Sequence, residues 1–400
     1  MKVLQINSVC GIGSTGRIAT DIHNILIKQG HESYIAYGRD LPKNCENAIR
    51  IGTKIDNYTH VAKTRLFDKH GFGSKRATEE FIKEIKKIDP DIIHLHNIHG
   101  YYINIEVLFN YLKEANKPVV WTLHDCWAFT GHCAYFDYIG CDKWKSGCSS
   151  CPAKREYPSS LFLDSSKINY ISKKDIFSGV DNLTIVTPSQ WLANLVQNSF
   201  LQDYPIKVIN NGIDLSVFKP TVGNFRDQHN LSDKYIILGV ANIWEKRKGL
   251  DYFHKMEKSL RDDEVIVLVG LSKKQLEELP EKMVGISRTN NVDELVDIYS
   301  SADIFVNPTL EEVMGLTNVE ALACGTPVIT FDSGGSPECV DDTTGFVVGK
   351  GQIDKAIEII RGLRDTNKRF DSSVCRNRAK HKYDKNTQNN MYVNIYRENI

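Results

Sequence analysis

The 400-residue chain is too long for one ordinary domain and fits two domains of about 200 residues each. Its 50 basic and 50 acidic side chains balance, which argues against a protein whose net field recruits nucleic acid. No apolar run reaches the ~18–20 residues of a membrane-spanning helix, and the first strand begins without an export signal, so we expect a cytoplasmic protein.

Short apolar runs rich in β-branched residues alternate with longer segments of helical periodicity along the whole chain. The strand-like runs are, in order, KVLQINSV, SYIAYG, DIIHLHN, PVVWTLH, LTIVTPS, IKVINNGI, YIILGVA, EVIVLVG, DIFVNPT and PVITFD. This alternation predicts the doubly wound α/β class, in which helices cover both faces of parallel sheets. Ligands bind at the carboxyl ends of the strands in such sheets, so we expect two domains that face each other across a cleft.

A polar stretch at 218–234 separates two sets of predicted strands and indicates a domain boundary. We expect a first domain over 1–217, with a cysteine-rich insertion at 126–152, and a second domain over 218–375. The final segment, 376–400, is helical but polar, and it is predicted to cross back to the first domain.

The glycine-rich stretch GIGSTGR follows the first predicted strand. Gly11, Gly13 and Gly16 have the spacing of the dinucleotide fingerprint G-x-G-x-x-G. Glu32 is loosely placed as the acidic residue that accompanies this fingerprint, so a Rossmann oxidoreductase is one interpretation. The motifs of the second predicted domain argue against it.

The insertion holds five cysteines within HDCWAFTGHCAYFDYIGCDKWKSGCSSCP. Cys133, Cys141, Cys148 and Cys151 have the spacing C-x7-C-x6-C-x2-C, and four thiolates suit tetrahedral zinc in a structural site. Free thiols and disulfides are the alternatives, because the first two gaps are longer than those of common zinc knuckles. The segment lacks a dense basic face, which argues against nucleic-acid binding.

Two carboxylates stand out in TLEEVMGLTNVEALACGTPVI, which predicts a strand end, a loop and a helix. Glu312 lies in the loop, and Glu320 lies at the margin of the apolar stripe of the helix. The free N–H groups from Gly315 to Thr317 make the start of this helix an anion site. The pair therefore indicates a ligand that carries both phosphate and hydroxyl groups. The alternative is a solvated loop charge at Glu312 and a carboxylate bonded to the backbone at Glu320.

The same segment resembles the glutamate-x7-glutamate region of retaining glycosyltransferases with the GT-B fold, family 4. Further stretches fit this family in the same order: NSVCGIGSTGRI, PDIIHLHN, VVWTLHD, TPSQWL, VINNGIDLSVFKP, RKGLDYF, LVDIYSSADIFVNPT and GGSPECV. Together they span essentially the whole chain. The resemblance implies two Rossmann-like domains, of which the first serves the acceptor and the second binds a nucleotide-sugar.

The function implied by the resemblance is transfer of a sugar, with retention, from a UDP- or GDP-linked donor to a hydroxyl group. The acceptor would be a saccharide or a lipid-linked oligosaccharide in the synthesis of a surface polysaccharide. No D-x-D sequence appears in a donor-site loop, so no catalytic metal is expected. The alternatives are a non-transferring enzyme of the same fold, such as a nucleotide-sugar epimerase, or a catalytically silent nucleotide-sugar binder.

The resemblance also implies roles for individual residues. Glu312 matches the glutamate that holds the donor sugar's hydroxyl groups, and Glu320 matches the one that binds the ribose. His124 matches a histidine that lines the sugar pocket, and its alternative is a satisfied histidine at a strand end. The expected donors to the diphosphate are the backbone groups of Gly315, Leu316 and Thr317 and of the loop with Gly11, Gly13 and Gly16.

The chain departs from the family at the cations that neutralise the leaving diphosphate. Lys248 is present, but Asn242 stands where the family usually has an arginine. Arg247 is our preferred substitute and Lys246 the other candidate, although both could be solvated surface charges. Asp125 is predicted either to contact the acceptor or to cap a strand end.

Residues 54–87 carry nine Lys and Arg side chains against five Asp and Glu. This excess predicts contact with anionic lipid headgroups or with a lipid-linked diphosphate, and therefore a peripheral position at the inner face of the cell membrane. An ordinary solvated helix face explains the charges equally well. His70 and Phe72 lie on a loop of this segment and are predicted to frame the acceptor.

Overall fold

The computed structural model describes residues 1–367 and 369–400, and these form two compact units. The first unit comprises Met1–Ile209 together with Gln388–Ile400, and the second comprises Asn210–Thr387. The division falls a few residues before the boundary that the polar stretch predicts.

The first unit is built on a parallel sheet of seven described strands, in the order β3-β2-β1-β4-β5-β6-β7. The strands are β1 (Lys2–Asn7), β2 (Glu32–Tyr37), β3 (Ala48–Arg50), β4 (Ile92–Leu95), β5 (Val119–Thr122), β6 (Leu183–Thr187) and β7 (Ile206–Val208). Its helices are α1 (Gly13–Lys28), α2 (Lys54–Phe67), α3 (Lys75–Ile88), α4 (Ile105–Ala115), α5 (Ser166–Phe177) and α6 (Gln190–Gln197). Strands β4, β5 and β6 are buried throughout, as expected of a parallel sheet covered on both faces.

The second unit repeats this plan with a parallel sheet of six strands in the described part of the chain, in the order β10-β9-β8-β11-β12-β13. The strands are β8 (Tyr235–Val240), β9 (Glu264–Val269), β10 (Met283–Ile286), β11 (Ile304–Asn307), β12 (Val328–Phe331) and β13 (Gly345–Val348). Its helices are α7 (Phe225–Gln228), α8 (Leu250–Glu257), α9 (Lys273–Glu277), α10 (Val292–Ser301), α11 (Leu316–Ala323), α12 (Ile353–Asp365) and α13 (Ser372–Tyr383). Two doubly wound α/β sheets are thus present, which confirms the fold class predicted from the alternating pattern.

The chain returns to the first unit within the last helix, α14 (Lys385–Asn399). Tyr392 and Tyr396 are buried there among Val3, Ile22 and Val120. Residues 376–387, which were predicted to belong to the returning segment, lie in the second unit instead.

The reason is that α13 hides a narrow apolar stripe within a polar sequence. Cys375, Ala379 and Tyr383 are spaced four residues apart and are buried in the core of the second unit. Arg376 adds three hydrogen bonds from its guanidinium, to the carbonyl oxygens of Phe218, of Leu215 at 2.6 Å and of Ala323 at 2.9 Å.

None of the described helices is both long enough and apolar enough to cross a membrane.

Candidate functional site

The start of helix α11 lies just beyond the carboxyl end of β11 and forms the centre of the site. Gly315 precedes the helix in the left-handed region, with φ of +86°, and a Cβ there would lie 3.1 Å from both Asn318 Nδ2 and Ser336 Oγ. Among the hydrogen bonds of the described residues, none uses the N–H groups of Leu316 and Thr317. The predicted anion site is therefore a glycine-capped helix start with two N–H groups available to a ligand.

Glu312 lies in the loop before this helix, and the stretch GGSPECV holds its backbone. The carbonyl oxygen of Glu312 accepts a hydrogen bond from Gly335 N at 2.9 Å. At Gly334, whose φ is +59°, a Cβ would lie 1.7 Å from the same carbonyl oxygen. The double glycine thus allows a close approach of two loops that fixes the position of Glu312.

The Glu312 side chain forms an ion pair with Lys248, and its Oε1 accepts a hydrogen bond from Val313 N at 3.2 Å. Burial raises the pKa of Glu312, but the positive charges of Lys248 and Arg247 outweigh burial and hold that pKa below its usual value. The carboxylate is therefore ionised at neutral pH, although it is half-buried.

Lys248 and Arg247 lie on a short turn, Lys246–Lys248, that follows β8. The turn is held against the loop after β11, because Leu310 N donates to Arg247 O at 2.7 Å. The Arg247 guanidinium lies 3.2 Å from Glu245 Oε2, and its charge also acts on Glu312. Asn242 is exposed at the start of this segment. The charge of Arg247 thus helps to lower the pKa of Glu312, and its role as the substitute cation stays a prediction.

Glu320 projects from α11 and is half-buried. Its Oε2 accepts a hydrogen bond of 2.9 Å from the hydroxyl group of Tyr299, on α10. Burial, and then the Glu320 carboxylate, raise the pKa of Tyr299 well above its usual value, so this hydroxyl remains a donor. Sequence reasoning missed Tyr299, because its place in the apolar stripe of α10 is that of an ordinary core residue.

The glycine-rich loop of the first unit connects β1 to α1. Gly11 has φ of +69°, and its N–H donates to Gly16 O at 3.1 Å. A Cβ on Gly11 would lie 2.0 Å from Lys43 O, whereas a Cβ on Gly13 would meet nothing within 4 Å. Gly11 is therefore required for packing, and Gly13 leaves open space at the start of α1.

His124 follows β5 and belongs to a row of neutral histidines. Its Nε2 lies 3.1 Å from His96 Nδ1, and the two rings are stacked. Burial lowers the pKa of His124 to about 4. His124 is thus uncharged at neutral pH, which suits a hydrogen-bonding or packing role in a sugar pocket.

Asp125 has two partners that sequence reasoning missed. Its Oδ1 accepts a hydrogen bond from Trp127 N at 2.9 Å, and its Oδ2 lies 2.9 Å from His99 Nε2. The other ring nitrogen of His99 lies 3.1 Å from the hydroxyl group of Tyr157. Asp125 therefore caps the turn that begins at Trp127, rather than the end of β5, and also orients a histidine–tyrosine pair.

His70 lies close to this pair but is wholly enclosed. Its Nε2 accepts a hydrogen bond from Gly100 N at 3.0 Å, and its ring lies 5.6 Å from that of His99. Burial lowers the pKa of His70 well below its usual value. His70 therefore supports the loop that contains Gly100. The ring of Phe72 is half-buried and lies 5.2 Å from Lys69 Nζ.

The four cysteines of the predicted zinc site line one small cavity together with His132. The Cys133 thiol donates a hydrogen bond to Cys151, and Gly131 N donates to Cys148 Sγ at 3.2 Å. All ten cysteines are free thiols. Within residues 1–367 and 369–400, however, no group of three or more His, Cys, Asp or Glu side chains is arranged to hold a metal ion. The zinc site stays a prediction.

Two family models match the chain and together cover most of it. The model of Glycosyltransferase Family 4 matches residues 15–217, and the model of Glycosyl transferases group 1 matches residues 234–365.

Curated proteins with similar sequences carry related names. The putative colanic acid biosynthesis glycosyl transferase WcaC of Escherichia coli (strain K12) is 30% identical over 230 residues, which are 54% of this chain and 55% of that protein. This match thus spans about half the length of the relative. The uncharacterized glycosyltransferase MJ1607 of Methanocaldococcus jannaschii is 26% identical over 402 residues, covering 93% of this chain and 91% of that protein.

Solved structures resemble the chain over its full length. Sucrose-phosphate synthase from Thermosynechococcus elongatus has a TM-score of 0.74 at 18% identity, covering 100% of this chain and 99% of that one. Anabaena HepE, solved in complex with UDP, has a TM-score of 0.70 at 14% identity, and both chains are covered to 100%. At these identities the likeness shows the fold, a pair of Rossmann-like domains of the GT-B type.

Proposed function

The chain belongs to glycosyltransferase family 4, and on that premise we propose that it is a retaining glycosyltransferase of surface polysaccharide synthesis. It takes a sugar from a nucleotide-diphosphate donor and attaches it to a hydroxyl group of a saccharide or lipid-linked acceptor. The observation that carries this proposal is the ionised Glu312, paired with Lys248, beside the open start of α11.

This arrangement suits a donor that carries a diphosphate between a sugar and a ribose. The N–H groups of Leu316 and Thr317 bind diphosphate oxygens at the positive end of the helix. Glu312 accepts hydrogen bonds from hydroxyl groups of the sugar, and Glu320, held by Tyr299, accepts those of the ribose. Negative and positive groups thus alternate along the site in the order in which the donor presents hydroxyl groups and phosphates.

The chemistry depends on charge that develops on the leaving group. The bond between the anomeric carbon and the diphosphate oxygen breaks, and the electron pair leaves with the diphosphate. Lys248, Arg247 and the helix N–H groups would stabilise this charge. Such electrostatic stabilisation is usually the largest single contribution to catalysis. The acceptor hydroxyl bonds to the anomeric carbon from the same face, and its proton passes to the departing diphosphate. Configuration is therefore retained.

We assign the acceptor to the first unit, where Asp125, His99 and Tyr157 form a hydrogen-bonded chain. His124 is neutral there, which suits hydrogen bonding to a sugar without added charge. The proposed nucleotide is UDP or GDP, and the structures of HepE in complex with UDP and with UDP-glucose favour testing UDP first. No step of this mechanism requires a metal ion.

The decisive experiment incubates the protein with a panel of UDP- and GDP-linked sugars, with and without saccharide acceptors. We expect nucleoside diphosphate to be released from one donor, faster with acceptor present, and a product of unchanged anomeric configuration by NMR. Isomerised donor without acceptor consumption would instead support an epimerase. Binding of the nucleotide without any turnover would support a silent binder, and the inverted anomer would contradict retention.

A further inference from the structure

Helix α2 turns an apolar stripe towards solvent. Ile55 and Tyr58 are 73% and 71% exposed, and Leu66 and Phe67, near the end of the helix, are 41% and 50% exposed. At about 100° per residue, Ile55, Tyr58 and Leu66 lie within about 80° of one another and share one face, and Phe67 ends the helix next to Leu66. The opposite face of α2, where His60 and Thr64 are buried, is the one packed against the unit. Helix α2 therefore presents large apolar groups where a solvated helix presents polar ones.

The stripe continues onto the segment that leads into α5. Leu161 N donates to Arg65 O at 2.8 Å, and Ser165 Oγ donates to Phe67 O at 3.0 Å, so the segment is joined to the end of α2. Its exposed side chains are Leu161, Phe162 and Leu163, followed by Ile168 and Ile171 of α5. We call the whole surface the apolar patch: Ile55, Tyr58, Leu66, Phe67, Leu161, Phe162, Leu163, Ile168 and Ile171.

Such a surface needs an occupant, because soluble proteins rarely expose contiguous apolar patches of more than a few hundred Å². The charges around the apolar patch indicate which one. Residues 54–69 and 154–175 contain nine Lys and Arg against five Asp and Glu. Lys63 on α2 and Lys167 and Lys174 on α5 are exposed beside the patch.

Three of the five acidic groups are already engaged by the protein. Asp56 closes the capping box of α2 with Thr53, and Asp68 is buried against His132. Asp164 accepts hydrogen bonds from the backbone N–H groups of Cys151 and Ser166. Hydrogen bonding leaves Asp56 and Asp164 charged, but Asp68 and one of the nine basic groups, Lys173, are buried. Eight basic groups therefore face four acidic ones, and this side of the unit offers a partner net positive charge.

We propose that the apolar patch docks the protein onto an anionic lipid surface. The apolar side chains enter the boundary between headgroups and acyl chains, and the surrounding lysines bind headgroup phosphates. A second copy of the chain fits less well, since a symmetric contact would bring two positive rims together. The docking stands on this surface alone and does not depend on the donor or the reaction.

The two helices of the basic segment 54–87 differ in how their charges are partnered. On α3, Lys83 pairs with Glu80 and Lys87 pairs with Glu84, in exposed i,i+3 contacts. That helix is the solvated, self-neutralising face that was the alternative explanation of the charges. The lipid contact belongs to α2 and the segment before α5, where the basic groups adjoin exposed apolar ones.

The test is sedimentation of the full chain with vesicles of phosphatidylcholine, alone or with about 30% phosphatidylglycerol. We expect binding to the anionic vesicles at about 0.1 M salt and release at higher salt, where the screening length is shorter. Lys167→Gln with Lys174→Gln should weaken binding by about tenfold or more, because each lysine near an anionic surface contributes a factor of about five. Equal binding to both vesicles, or none, would overturn the proposal.

The apolar contribution needs its own variants. Phe67→Gln with Phe162→Gln should abolish sedimentation while the circular dichroism stays native, since both side chains are exposed. The matched control is Leu41→Gln with Val292→Gln, which removes exposed apolar groups outside the patch and should bind like the parent. Unchanged binding of the first variant would contradict insertion. A dimer in solution that Phe162→Gln dissociates, without vesicle binding, would make a second copy the occupant.

A Trp probe reports the contact directly. Phe162→Trp should show a blue shift and quenching by brominated lipid in anionic vesicles, whereas Leu41→Trp should show neither. None of these measurements uses a nucleotide-sugar, so a failure of docking leaves the proposed reaction standing, and the reverse also holds.

Discussion

Lys248 and Glu312 form an ion pair between the turn after β8 and the loop after β11, with side chains 22% and 24% exposed. The lysine is also the cation that the proposed mechanism directs to the leaving diphosphate. In the proposed mechanism, donor binding exchanges these partners: the sugar hydroxyl groups bind the carboxylate of Glu312, and the phosphate binds the ammonium of Lys248. The pair holds both groups charged and in place until that exchange.

Glu312→Gln keeps the shape of the side chain and removes its charge. Transfer should slow by about 10²–10³, by analogy with the loss of one transition-state hydrogen-bonding group. Free nucleoside diphosphate should bind at least as well as before, because Lys248 loses its competing partner. Donor turnover measured beside calorimetry with nucleoside diphosphate separates the two effects. The control is Glu358→Gln, an exposed glutamate paired with Lys355, and equal turnover of both variants would make Glu312 structural.

The same ion pair predicts a pH dependence. Because the pKa of Glu312 lies below its ordinary value, the pair stabilises the fold above that ordinary value and loses this contribution as the pH falls through the folded pKa. In Lys248→Met, burial still raises the pKa of Glu312 and its main opposing charge is gone. The acidic limb of the turnover profile should therefore move towards neutral pH. A profile that keeps the parent's acidic midpoint would show that Lys248 does not control the ionisation of Glu312.

The sequence predicted the α/β class, the helix start at Gly315 and the two glutamates, because periodicity and turn residues report directly on those features. It could not show that Tyr299 holds Glu320, since a tyrosine within the apolar stripe of a helix is predicted to be an ordinary core residue. It could not place the apolar stripe of α2 on the outside either. Periodicity reveals that a helix has an apolar face, but the direction of that face depends on tertiary contacts such as those of His60.

Glu320 and Tyr299 should affect the nucleotide rather than the sugar. Glu320→Gln should weaken nucleoside diphosphate by about 1.5–3 kcal/mol, the range of a hydrogen bond to a charged group. Tyr299→Phe removes only the group that orients the carboxylate, so a smaller loss of about 0.5–1.5 kcal/mol is expected. Isothermal titration with nucleoside diphosphate measures both. If Tyr299→Phe lowers thermal stability and leaves affinity intact, its hydroxyl serves packing alone.

We predict that the cysteine cavity binds about one zinc per chain through its four cysteine side chains. Elemental analysis of protein purified without added metal measures it, and Cys148→Ser should lower the zinc content. Cys375→Ser, at a buried cysteine in the second unit, is the control that should leave zinc unchanged. Metal-free protein with reactive thiols would contradict the prediction and would agree with the lack of a metal-binding group among the described residues.

Arg247 is predicted to replace the arginine that the family usually has at the position of Asn242. Arg247→Met should lower the rate of donor turnover by about 10-fold or more, since an unscreened cation near a developing charge contributes a kcal/mol or more. The double variant Arg247→Met with Asn242→Arg should recover much of that rate, because it returns a cation to the usual position of the family. Lys246→Met, which removes an exposed charge of the same turn, is the matched control. If Lys246→Met slows turnover and Arg247→Met does not, the substitute cation is Lys246. If neither Arg247→Met nor Lys246→Met slows turnover, the family's arginine has no counterpart here, and Lys248 and the helix start stabilise the leaving group alone.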